Sequence, residues 1–300
     1  MWGTTISTVT IVTSRYDSPL GVGTYSEWRP PSLTGAVDVI WHFSGPTTDR
    51  YKRILPNGRV ELLVNLGESY RIIEGAGTPV LRAAWIGGLL TNPQIIEQPS
   101  RQNVLGIRLS PVTAHLLLAV PMGEIAGFQV ALDDLIGQAA SELAERCAAA
   151  GSVQRLFHCA DQWISERVSN ACRIDPAVAW SAARIEEHGG TVPIAELRER
   201  TGLSKTRLAA SFRDQIGVAP KLYARLIRFR RATELLQRDA GSLVDVALAA
   251  GFYDQPHMNA EFRELGGLTP LDFIAARHPV GDGTTARAER PGARGPESKV

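Results

Sequence analysis

Over the first 110 residues, short runs of branched and aromatic side chains alternate with turn-forming residues. Val37 to Phe43, Arg53 to Leu55, Val60 to Asn65, Val80 to Ile86 and Val104 to Leu109 are each composed as strands are. Pro56-Asn57-Gly58 stands between the second and third of these runs, and Asn-Gly between apolar runs predicts a hairpin. Several short strands separated by turn chemistry predict a β-barrel or sandwich.

From Val112 onward the period changes. Leu132, Leu135, Ile136, Ala139, Leu143 and Cys147 fall three and four apart, one stripe of a helix. Val153, Leu156, Phe157, Ala160, Trp163, Ile164 and Val168 repeat that spacing. These helices could close the N-terminal domain, pair two subunits, or do both. Asn170 to Pro176 is the expected boundary, giving a β-rich sensing or dimerisation domain over 1–170. The tail, 280–300, is rich in Gly, Pro, Arg and Glu and nearly lacks large apolar residues, so disorder is expected there.

Two stretches between the boundary and the tail match each other. Ile194, Leu197 and Gly202 recur as Leu243, Val246 and Gly251, at an offset of 49. Phe212-Arg213, then Gly217 to Pro220 with Tyr223, recur as Phe262-Arg263, then Gly267 to Pro270 with Phe273, at an offset of 50. The second copy therefore holds one extra residue, and so ordered a duplication marks a repeated structural unit. Each copy reads as helix, tight turn, helix. In the first, Pro193 suits an opening turn, Gly202 a left-handed ending, and Ser204 a cap for the next helix, with Leu208 and Phe212 buried. In the second, Ser242 and Asp254 are the caps, Gly251 makes the turn, and Met258 and Phe262 are buried. Between the units, Lys221 to Arg238 reads as one long helix with an apolar stripe of Tyr223, Leu226, Phe229, Ala232 and Leu236. The fold class expected is α+β: an N-terminal β-barrel or cupin-like domain with helices, then an all-α domain of two helix-turn-helix units joined by that helix.

The formal net charge of +1 is uninformative until it is divided. Residues 1–175 carry 14 basic and 16 acidic side chains, but 198–231 carry 10 basic against only Glu199 and Asp214. Such a concentration suits a phosphate-binding surface, although a solvated helix face can also be arginine-rich. No apolar run approaches a bilayer's thickness, and Met1 to Arg15 lacks a signal peptide's basic flank, so a cytoplasmic protein without a membrane partner is expected. Cys147, Cys159 and Cys172 form no CxxC pair and read as reduced structural thiols.

Residues 177–278 resemble the DNA-binding domain of AraC/XylS-type regulators. The resemblance rests on Gly-Leu-Ser at 202–204, Leu208 with Phe212-Arg213, Gly217 to Pro220, Ala232 with Leu235-Leu236, Val246-Ala247, Gly251-Phe252, Phe262 and Gly267 to Pro270. It covers about a third of the chain. More loosely, Leu55 to Gly58, Glu61-Leu62 and Asn65 resemble the β-rich N-terminal domain of a less studied branch of that family. The resemblance implies a sequence-specific transcription regulator, activation rather than repression, with duplex DNA and RNA polymerase as partners. A small-molecule effector and a homodimer are further expectations of that kind.

Candidate DNA contacts follow from exposure on the second helix of each unit. On the first, Thr206 is the better base contact, with Lys205, Arg207 and Arg213 on phosphates or in intramolecular pairs. Ala209 and Ala210 stand where the family usually has larger polar groups, which thins base readout. On the second, Gln255, His257 and Asn259 are polar candidates, with Arg263 beyond them, while Ala260 stands where an arginine is common. Of Arg225, Arg228, Arg230 and Arg231, some are expected to pair with Glu234 or Glu196 rather than with DNA.

Enzyme readings fare worse. The first 120 residues hold only His42 and His115, with no HxH pair, which gives a metal-dependent barrel too few ligands, so no metal site or cofactor is expected. No GxSxG, phosphate loop or dinucleotide fingerprint stands at a strand-to-helix junction. A methyl-accepting repair protein would want a reactive cysteine and a four-cysteine zinc cluster, which three cysteines cannot supply. The other functional reading is a ligand-binding or assembly module whose DNA-binding half is vestigial. Trp41, Trp85, Glu61 and Asn65 could line a ligand cavity, and all four are equally ordinary strand residues.

Overall fold

The computed structural model describes residues 10–73, 80–169, 174–238, 241–276 and 285–289. In chain order the first strands are β1 (Val12–Ser18), β2 (Gly21–Trp28), β3 (Val37–Pro46), β4 (Tyr51–Ile54) and β5 (Val60–Asn65). There follow β6 (Tyr70–Ile72), β7 (Val80–Leu81), β8 (Ala84–Gly87), β9 (Gln94–Glu97) and β10 (Arg101–Leu109). Helices α1 (Pro111–Leu118) and α2 (Met122–Ile125) precede β11 (Gln129–Ala131), and a last strand, β12 (Thr285–Arg287), lies near the C-terminus. They form two antiparallel sheets, ordered β1-β2-β3-β10-β5-β8-β11 and β12-β4-β9-β6-β7.

Alternation along β5 and β10 sets the layers. Val60, Leu62, Val64, Leu105, Ile107 and Leu109 enter the main core, which the helices cover. Leu63 and Val104, on the other face, join Trp85 of β8 and pack with Tyr70, Ile72 and Leu81 of the second sheet. The first sheet is thus apolar on both faces.

The Asn57-Gly58 hairpin is not formed. β4 pairs with β9 in one sheet, and β5 with β10 and β8 in the other. The local turn chemistry is as expected: Gly58 has φ +68°, and the Asn57 Oδ1 accepts from the Arg59 N–H. What the turn does is different. It packs on the connecting helix described below, where a Cβ on Gly58 would stand 2.9 Å from Ile227 Cδ1. The expected strand Val80 to Ile86 is two strands in different sheets, β7 and β8.

Residues 132–148 form two helices, α3 (Leu132–Ile136) and α4 (Gln138–Ala148), divided at Gly137 with φ +56°. The register accordingly changes, and Ala140 rather than Ala139 is buried beside Leu143 and Cys147. Helix α5 (Val153–Ser169) buries Leu156, Phe157, Ala160, Trp163 and Ile164, as its spacing requires. The expected boundary falls partly outside the described residues, as does Cys172.

The C-terminal half holds α6 (Pro176–Glu187), α7 (Ile194–Thr201), α8 (Lys205–Ile216) and α9 (Pro220–Gln237). It continues with α10 (Leu243–Ala250), α11 (Gln255–Glu261), a π-helical turn at Phe262–Gly266, and α12 (Pro270–Ala276). Disorder does not hold throughout the tail: β12 pairs with β4, and Ala286 is buried. A small side chain there fits where the edge of the second sheet is open, which composition alone does not reveal. The rest of 280–300, apart from 288 and 289, lies outside the described residues.

One hydrophobic core runs from Trp28 through Phe157 and Phe212 to Ala286, so the two halves are welded together. A buried polar knot accompanies the weld. Arg59 donates to Asp38 at 2.5 Å and to both Glu186 oxygens at 2.8 and 2.6 Å. The Tyr223 hydroxyl donates to the same carboxylate, and Arg230 lies 3.9 Å from it. Burial pulls the Arg59 pKa down, but the Glu186 carboxylate outweighs that and the net shift is upward. Burial likewise raises the Glu186 pKa and the arginine outweighs it, so the carboxyl sits below its ordinary range.

Candidate nucleic-acid interface

The first unit is α7, a turn and α8. Gly202, with φ +68°, ends α7, and the Ser204 side chain accepts from the Arg207 N–H at the start of α8. Leu208, Phe212 and Ile216 bury one side of α8. The N-terminal domain braces it: α1 and α2 pack on α8, and a Cβ on Gly123 would come 3.1 Å from the Arg213 carbonyl oxygen. The opposite side is open. Lys205, Thr206, Arg207, Ala210 and Arg213 are exposed, and the three cations make no ion pair among the described residues.

The second unit is α10, a turn and α11. Ser242 and Asp245 form a reciprocal capping box, Gly251 takes φ +88°, and the Asp254 side chain accepts from the His257 N–H. Met258 and Phe262 are buried. The extra residue of this copy lies in the turn, since one residue stands between Gly202 and Ser204 but two stand between Gly251 and Asp254. The longer turn leaves Tyr253 87% exposed.

The candidates on α11 differ in availability. His257 and Arg263 are exposed and Gln255 is half-buried. His257 is engaged locally: its Nδ1 accepts from the Tyr253 N–H at 3.4 Å, and its ring meets Phe252 edge-on. Asn259 is half-buried, with its Oδ1 enclosed and without a hydrogen-bond partner among the described residues. An enclosed amide oxygen cannot complete the paired donor and acceptor contact to adenine unless the side chain turns outward.

Helix α9 holds the units together. It buries Tyr223, Leu226, Phe229, Ala232 and Leu236, packs against α6, α8 and α10, and sets the Phe229 ring tilted against Phe262 with centroids 4.8 Å apart. Three of its arginines are structural. Arg225 binds Glu261 at 3.0 Å and Glu264 at 2.7 Å, Arg228 donates to the Gly190 carbonyl at 2.5 Å, and Arg230 pairs with Glu234 at 3.7 Å. Glu196 pairs instead with Arg184 at 3.2 Å. Arg198, Arg200, Lys205, Arg207, Arg213, Lys221 and Arg231 remain exposed, so the basic surface is smaller than the sequence count suggests.

Sequence reasoning missed Arg59, Glu186 and the Tyr223 hydroxyl as a unit, because their separation along the chain hides the knot. Of the four cavity candidates, Trp41, Glu61 and Trp85 line one cavity. Asn65 does not; its amide donates to the carbonyls of Glu68 and Arg82 and shapes the loop. His42 lies in β3 and its Nε2 meets Asn103 Oδ1 at 2.8 Å, while burial holds its pKa below the usual histidine range.

Residues 197–276 match a family model described as a helix-turn-helix domain, and residues 29–131 match a domain of unknown function, DUF6597. The transcriptional regulator GbdR of Pseudomonas aeruginosa is 29% identical over 104 residues, covering 35% of this chain and 28% of the relative. The transcriptional activator RhaS of Escherichia coli is 29% identical over 116 residues, covering 38% of this chain and 40% of the relative. The alignments thus span well under half the length of these curated relatives. Among solved structures, ToxT of Vibrio cholerae superposes with a TM-score of 0.48 at 11% identity, covering 79% of this chain and 98% of that one. The duplicated motif, the left-handed glycines, the caps and the matched relatives agree: residues 197–276 form a helix-turn-helix domain similar to those of the regulators GbdR and RhaS.

Proposed function

We propose that this chain is a sequence-specific DNA-binding regulator of transcription, acting as an activator, that responds to a small effector held in its N-terminal domain. The observation that carries the reading is the division of α8, whose apolar side is locked in the core while Lys205, Thr206, Arg207 and Arg213 face solvent. Cations left unpaired on a capped, braced helix suit phosphate oxygens. The 18-residue α9 spans 27 Å at about 1.5 Å per residue, a spacer on the scale of one DNA turn. Both reading helices then enter neighbouring major grooves on one face of the duplex. Activation brings RNA polymerase in as a partner, and α5 or the N-terminal sheets are the place for a homodimer contact. The reading places the protein in the cytoplasm as a non-enzyme; among the described residues, no helix is long and apolar enough to cross a membrane.

In this reading Thr206 and Gln255 read bases, and Lys205, Arg207, Arg213 and Arg263 hold phosphates. His257 and Asn259 read bases only after local rearrangement. The vestigial alternative draws on Ala209, Ala210 and Ala260, which offer at most a contact to a thymine methyl. Salt-titrated binding to a selected operator and to scrambled duplex separates the two. Lys205→Ala is expected to weaken both DNAs alike and reduce the salt slope by about one, because one phosphate contact is lost. Thr206→Ala is expected to weaken the operator alone, by about tenfold, with the scrambled duplex unaffected. Equal wild-type affinity for operator and scrambled duplex contradicts the regulator reading.

A further inference from the structure

Between the two sheets lies a partly open cavity with about 120 Å³ of free space. Its wall is mostly apolar, with Trp41, Leu63, Ile72, Trp85 and Ile96 contributing side chains. Four charged side chains line it: Lys52 from β4, Glu61 from β5, Arg108 from β10, and Arg59, which is already held by Asp38 and Glu186. Glu61 and Arg108 neutralise each other, with Oε1 2.5 Å from the Arg108 Nε. The second Glu61 oxygen is enclosed and accepts no hydrogen bond among the described residues. Lys52 has neither a hydrogen bond nor an ion pair among the described residues. The cavity therefore carries one uncompensated positive charge, and a charge in an apolar surround without a partner is costly.

We propose that this cavity binds a small monocarboxylate with a compact apolar body, the Lys52 ammonium serving as its counter-ion. Size and charge together select that class. A 150 Å³ apolar cavity holds benzene, and about 120 Å³ in a partly open site is on the scale of a short branched chain or a single ring whose carboxylate reaches Lys52. A dianion would overcompensate a single free ammonium, and a cation would meet Lys52 and Arg108 together. The orphaned Glu61 oxygen offers an acceptor for one hydroxyl or amine on such a ligand. This inference names the effector class for the regulator reading above and rests on it only for its biological meaning; ligand binding itself does not depend on DNA.

Burial lowers the Lys52 pKa to about 8, with Glu61 and Asp49 raising it and Arg108 lowering it. Asp49 is engaged by Arg287 at 3.4 Å. Carboxylate affinity is accordingly expected to fall as pH rises through about 8, because the neutral amine loses its attraction for the anion.

The test is tryptophan fluorescence of the full chain, without DNA, titrated with benzoate and isovalerate and with their uncharged counterparts, benzyl alcohol and isoamyl alcohol. Each carboxylate is expected to bind at least tenfold more tightly than its alcohol at pH 7. Lys52→Met is expected to abolish that preference while the alcohols still bind, which also shows that the variant retains its cavity. No saturable binding of either carboxylate, or equal affinity for acids and alcohols in the wild type, overturns the proposal. Carboxylate binding by a protein that fails to prefer its operator would overturn the regulator reading and leave the site standing.

Discussion

Replacing Arg59 by methionine is expected to lower folding stability by about 3 kcal/mol, the scale seen when one partner of a buried ion pair is removed. The side chain is 7% exposed and holds two carboxylates, one from each half of the molecule. Methionine fills much of the volume, so the loss reports charge. Glu186 and Asp38 would be left facing an apolar side chain, with Glu186 retaining only the Tyr223 hydroxyl and a distant Arg230. The sign with pH follows from the Glu186 pKa, which lies below its ordinary value. That contribution is fully present above the unfolded carboxylate range and is lost as pH falls through the lower folded value. Urea unfolding at neutral pH and at successively acid values checks both points. The variant should lose less stability than the wild type on acidification, and a cost below about 0.5 kcal/mol at neutral pH would show that the knot does not hold the halves together.

Joint substitution of Lys205, Arg207 and Arg213 by alanine is expected to reduce DNA affinity by about a hundredfold or more at moderate salt and flatten the salt slope by about three. All three are exposed and unpaired among the described residues, so the fold should tolerate their loss. Arg225→Ala is the informative contrast. Its guanidinium binds Glu261 and Glu264, the last residue of α11 and a residue of the turn beyond it. Losing it should lower thermal stability and loosen the second reading helix while leaving the salt slope unchanged. Fluorescence anisotropy over a range of salt concentrations, beside thermal melts, separates the two. A full salt slope in the triple variant would remove these cations from the interface.

The C-terminal half was legible in the sequence because each of its devices is local. Left-handed glycines at 202 and 251, caps at Ser204, Ser242 and Asp254, and the buried stripe of α9 are all set by neighbours within a turn or two of helix. The N-terminal half was less legible because strand pairing is a long-range choice. Asn57-Gly58 has the chemistry of a hairpin turn, yet β4 and β5 belong to different sheets, since the apolar faces on both sides of β5 demand a layer on each. The helix expected over 132–147 shows the converse, where one stripe of apolar residues conceals a break at Gly137. For the proposed DNA surface, the sequence pointed to exposed cations on α8 but could not decide which arginines of α9 were already engaged. Arg225, Arg228 and Arg230 find partners far along the chain. The unpaired Lys52 was invisible for the same reason, because its isolation depends on Glu61 having chosen Arg108.

Selection of binding sites by the full chain from a library of random duplexes tests most directly whether the two motifs act as a rigid pair. The expected outcome is a site with two short preferred blocks whose centres lie about one helical turn, 10 to 10.5 base pairs, apart. Inserting half a turn between the blocks should then reduce affinity to that of a single block. A single enriched block, blocks at variable spacing, or enrichment of no sequence at all would contradict it.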